Sequence, residues 1–81
     1  MTTATNTLDL QAVARDLATK NWDTGHTLRR HDENMWTVRV TGDLARIVGI
    51  IERVDQNLFA LTITTKRARS ESVRRVLISV N

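Results

Sequence analysis

The residues best suited to chemistry are the cations near the end of the chain. Lys66, Arg67, Arg69, Arg74 and Arg75 fall within ten residues, with Glu71 as the one acid among them. Residues 1–65 carry seven cations and eight anions, net −1, whereas residues 66–81 are net +4. A field this uneven steers an anionic partner toward one end of the molecule. Lys and Arg at this density suit phosphate, and contacts to four or five phosphates would give a log–log salt slope of roughly −4 on duplex DNA. The competing explanation is a solvated, charged surface that keeps a small domain soluble or meets an acidic protein.

Other residues offer weaker chemistry. Arg39, Arg46 and Arg53 alternate with apolar positions and could form a row on a solvent-facing sheet, extending the basic surface. Asp43, Glu52 and Asp55 share those segments, so cross-strand ion pairs account for the same mixture. Trp22, Trp36 and Phe59 are too few aromatics for a base-stacking platform. Trp22, just past the first helix, either closes the core or presents an anchor to a protein partner. His26 and His31, five residues apart beside Asp32 and Glu33, would point to opposite faces of a strand, which is poor ligand geometry. Ser70, Ser72 and Ser79 have no glycine-framed elbow or neighbouring base. Gly25, Gly42 and Gly49 make no phosphate-cradling loop. No catalytic residue, metal site or cofactor is expected, and the chain reads as a non-enzyme.

The elements that position these residues follow from periodicity. Leu10, Val13, Ala14 and Leu17 recur at i, i+3, i+4 and i+7, which predicts an amphipathic helix over about residues 8–20. Thr7 is the expected cap, with Asp9 in the first turn. The period then changes to two. Trp36, Val38 and Val40 share one face of a strand, and Thr41-Gly42-Asp43 reads as a turn. A second strand runs from Leu44 to Val54. Its centre, Ile47-Val48-Gly49-Ile50-Ile51, is apolar on both faces and implies cover on both sides, by helices or a second subunit. Gly49 marks a bulge or a close backbone approach. Asp55-Gln56-Asn57 turns the chain into a third strand, Leu58 to Thr65. His26 to His31 is a fourth candidate strand, pairing across Asp32-Glu33-Asn34.

Residues 70–80 fit two periods. Val73, Val76, Leu77 and Val80 share a helical face capped by Ser70 or Ser72, while Val76, Ile78 and Val80 alternate as in a strand. The helix is preferred because it would give the sheet its second cover. Lys66, Arg67 and Arg69 would then flank the positive start of a helix, a phosphate site. In a strand they become a charged edge that discourages aggregation. The expected fold is therefore α+β: an N-terminal helix, a three- or four-stranded antiparallel meander and a C-terminal helix. This order, with Lys66-Arg67-Ala68-Arg69 entering the last helix, resembles the double-stranded-RNA-binding domain in topology. The chain lacks that family's glycine-containing approach to the helix, its small-residue helix surface and its His-bearing first loop.

Eighty-one residues without cysteine suit one domain in a reducing compartment. Residues 1–6 read as a disordered tail and 7–81 as the domain. No signal-peptide pattern opens the chain, and the longest apolar run is far short of a membrane span. Cytoplasmic location is expected, with no membrane partner. The leading functional expectation is a small accessory or regulatory protein that binds nucleic acid through Lys66, Arg67, Arg69, Arg74 and Arg75, as a homodimer. The alternative is a protein-interaction or inhibitor module of phage or mobile-element type acting on a host protein.

Overall fold

The helical period of residues 10–18 does form a helix, α1, Leu10–Asn21. Asp9 caps it, its Oδ1 accepting from the Ala12 N–H at 3.1 Å. The cap was expected at Thr7, which lies outside the described residues, and Asp9 sits at the cap position rather than within the first turn. At the other end the Trp22 N–H donates to Ala18 O at 2.8 Å, and Asn21 Nδ2 donates to Leu17 O at 2.8 Å. The computed structural model describes residues 9–22, 25–40, 46–67 and 69–80. The expected tail over 1–6 and the expected turn Thr41-Gly42-Asp43 lie outside them.

Five strands follow: β1 His26–Asp32, β2 Met35–Val40, β3 Arg46–Asp55, β4 Leu58–Arg67 and β5 Ser70–Ser79. They form one antiparallel meander in chain order, so β1 and β5 are its edges. The expected C-terminal helix is absent. Residues 70–79 are the fifth strand, and the sheet has one strand more than the largest number expected. The reason is non-local. Pairing with β4 places Ile78 opposite Phe59 and Val76 opposite Leu61, on the face already apolar in β4. A helix would have left Ile78 off its apolar face. The topological resemblance to the double-stranded-RNA-binding domain falls with the missing helix.

The core lies between α1 and one face of the sheet. Ala14, Leu17, Ala18 and Trp22 from the helix side meet Trp36, Val38, Val48, Ile51, Phe59 and Leu61. Ala14 and Ala18 are fully buried, and their small side chains let the helix approach the large rings beneath. Trp36 and Phe59 pack tilted at 39°, with centroids 6.4 Å apart. Buried Trp36 donates its Nε1–H to Gln11 Oε1 at 2.9 Å, so the ring also ties β2 to the helix.

The β2–β3 ladder shifts register between Val38 and Arg39. Val38 pairs with Gly49 and Arg39 with Ile47, leaving Val48 as the extra residue of a bulge. Gly49 serves the expected close approach as well. A Cβ there would meet Cζ2 of Trp22 well inside contact distance, so the indole rests on bare backbone. The apolar centre of β3 is thus buried mainly on the helix side. Ile50, on the other face, is half-buried, and among the described residues no element covers it.

Candidate nucleic-acid interface

The basic residues are carried by the β4–β5 hairpin rather than by a helix start. The β3–β4 ladder ends at Gly49↔Ile63, while β4–β5 pairing continues through Thr64↔Val73, Thr65↔Ser72, Lys66↔Glu71 and Arg67↔Ser70. The last four residues of β4 and the first four of β5 therefore form a two-stranded ribbon beyond that ladder, about 14 Å long at strand rise. The β3 bulge falls beside the point where the β3–β4 ladder ends, and an extra residue of this kind disrupts pairing and increases local twist. Lys66 and Arg67 lie on this ribbon, Arg69 in its turn, and Arg74 and Arg75 at its base.

The five cations do not share one face. Arg74 pairs with Ile63 and shares the helix side of the sheet with Val76 and Ile78. Arg75 pairs with Thr62 and lies on the opposite face. Helical spacing would have put both on one exposed side; a period of two separates them. Arg69, Arg74 and Arg75 are exposed and make no hydrogen bond or ion pair among the described residues.

The expected row Arg39, Arg46, Arg53 does not form. Arg39 lies on the uncovered face, between Thr27 and Ile47 in the ladder, its Nε buried without a hydrogen-bond partner among the described residues. Arg46 pairs with Val40, one position of opposite parity away. Arg53 pairs with Phe59, and its Nε and Nη2 donate to Gln56 O at 3.1 and 2.8 Å. It clamps the β3–β4 turn.

The actual row across the uncovered face is Arg29–Thr37–Ile50–Thr62–Arg75, one residue from each strand. Register alone connects these positions, and no sequence spacing could have revealed them. Arg29 was not singled out from sequence. Its neighbour Arg30 has a structural role like that of Arg53. It donates to Asp32 O at 3.0 Å and Glu33 O at 2.9 Å, and its guanidinium lies 5.1 Å from the Trp36 ring centroid. The two clamped turns stand at one end of the sheet, linked by Arg53 N–H donating to Asn34 O at 2.8 Å. An open hollow of about 300 Å³ lies there, lined by Asn34, Arg53, Val54, Asp55 and Gln56. The ribbon, with exposed Arg69 in its turn, stands at the other end.

Trp22 is 8% exposed and stacked on Gly49, so it closes the core and offers little surface to a partner. Of its two expected roles, closing the core is the one this placement matches. His31 Nε2 lies 3.3 Å from Thr37 Oγ1 on the uncovered face, whereas His26 pairs with Val40 on the helix side. No group of three metal-ligating side chains stands together among the described residues. No helix among them is long and apolar enough to cross a membrane.

Comparison with protein-family models, with curated proteins and with solved structures finds no match to this chain.

Proposed function

We propose that this chain is a small non-catalytic accessory or regulatory protein that binds nucleic acid through its β4–β5 hairpin. The observation that carries the reading is the concentration of cations along the β4–β5 hairpin, with Lys66, Arg67 and Arg69 on the two-stranded ribbon that outruns the β3–β4 ladder and Arg74 and Arg75 at its base. With the C-terminal helix gone, helix-start amides no longer contribute to a phosphate site. The ribbon supplies a different fit, because the major groove of B-DNA, about 12 Å wide, admits a two-stranded β-ribbon. Cations at the base of such a ribbon lie where the flanking phosphates pass.

The test is a titration of fluorescent DNA and RNA duplexes at several salt concentrations. Four phosphate contacts predict a log–log slope of about −4 on B-DNA. Absence of binding at low salt would refute the reading. A second reading, contact with a partner protein, is favoured by a specific feature: the free β5 edge exposes Val73 and Leu77, which are 64% and 57% accessible. Capture of a protein that survives nuclease and high salt would favour it over nucleic acid.

A further inference from the structure

The free edge of β5 is self-complementary, and we propose that it pairs with β5 of a second copy in a two-fold antiparallel register centred on Val73. The proposal goes beyond nucleic-acid binding and does not depend on it.

Backbone polarity comes first. The Val80 N–H donates to Asn57 O at 2.7 Å, so Val80 turns its backbone groups toward β4. The β4–β5 register runs without a shift from Leu58↔Ser79 to Arg67↔Ser70. By alternation, Ile78, Val76, Arg74 and Ser72 also face β4, while Leu77, Arg75, Val73 and Glu71 turn N–H and C=O outward. Among the described residues no strand pairs with these outward groups, which leaves a pairing template along the edge.

Side-chain chemistry then selects the register. Glu71, Val73 and Arg75 lie at i, i+2 and i+4, on the sheet face away from α1. All three are exposed. A two-fold axis perpendicular to the sheet must pass through a residue position for facing side chains to share a side. Centred on Val73, it sets Val73 against its own copy and each Glu71 against the partner's Arg75. Ser72 then meets the partner's Arg74 on the other face. Centred on Arg75 instead, it would oppose two guanidiniums, and like charges directly opposite are destabilising. Centred on Arg74, it would leave Glu71 facing Leu77. The Val73 register is the one that pairs opposite charges twice and covers an exposed valine. It yields a ten-stranded sheet with both helices on one side.

Sedimentation velocity over a concentration series tests this, with circular dichroism confirming that each variant stays folded. Wild type should move from 9.2 kDa monomer toward twice that mass as concentration rises. Glu71→Arg or Arg75→Glu alone replaces both opposite-charge pairs with like-charge pairs and should weaken the dimer on the order of tenfold or more. The double exchange Glu71→Arg with Arg75→Glu should restore it to within about threefold. Val73→Cys should form a symmetric disulfide under mild oxidation, since facing Cα atoms about 5.5 Å apart lie within bridging range. Val54→Cys, exposed but off this edge, should not. A wild-type monomer at every concentration would overturn the proposal and leave the edge for another protein. Dimers insensitive to both single reversals, or a double exchange no better than the singles, would overturn this register.

Discussion

Gly49 and Trp22 form the contact most sensitive to single atoms. The indole occupies the space where a side chain at 49 would stand, so Gly49→Ala must push the ring or the helix end away. Overpacking of this kind costs about 1–3 kcal/mol. A chemical-denaturation curve should show that loss, whereas Trp22→Ala, which empties a buried site, should cost about 3–5 kcal/mol. Gln11→Ala probes a polar counterpart. It strips the acceptor from the Trp36 Nε1–H in a side chain with no exposure, which predicts a loss of about 1–3 kcal/mol. Unchanged stability would mean that Trp36 finds another acceptor. Residue identity announced part of this contact. A glycine within an apolar strand signals close approach, but which ring approaches depends on where the helix ends.

At the scale of elements, β5 is where sequence and structure part. The N-terminal helix and strands β2 and β4 were legible because each fits one period only, β3 from its apolar run between turn signals, and β1 was visible as a weaker candidate. Residues 70–80 fit two periods, and no local feature decides between them. Pairing with β4 decides, by placing Val76 and Ile78 beside Leu61 and Phe59. The two readings make opposite predictions for adjacent residues. A helix buries Leu77 and frees Ile78; the strand leaves Leu77 57% exposed and packs Ile78 against the core. Ile78→Ala should therefore cost about 1–3 kcal/mol and Leu77→Ala no more than about 0.5 kcal/mol. Thermal melts of the two variants, taken dilute so that association does not contribute, check the difference. The basic residues were legible as a cluster but not as a geometry. Arg74 and Arg75 separate because the period is two. Arg39 and Arg46 part because the β2–β3 ladder shifts at Val38/Arg39, and Arg53, paired with Phe59, alternates onto the face opposite Arg39. Gly49 marked the neighbourhood of the β3 bulge but not which residue is doubled, so parity could not be followed along the chain.

For the whole molecule, polarity of charge matters more than its total. One end of the sheet holds two turns whose arginines are engaged by backbone carbonyls. The other end projects a ribbon whose described cations have no partner among the described residues. A short chain with one helix over one sheet face has a small stability margin, so charge at a free edge also guards against uncontrolled pairing. The decisive question is whether the position of the cations or merely their number governs binding. Titration of a labelled DNA duplex at low salt, with Arg67→Glu/Arg69→Glu beside the control Arg15→Glu/Lys20→Glu, answers it directly. Both doubles change net charge equally, and the control alters only exposed positions of α1. The ribbon variant should lose at least tenfold in affinity and show a salt slope shallower by about 2, while the control stays near wild type. Equal losses in the two variants, or binding unaffected by the ribbon reversal, would contradict recognition through the hairpin.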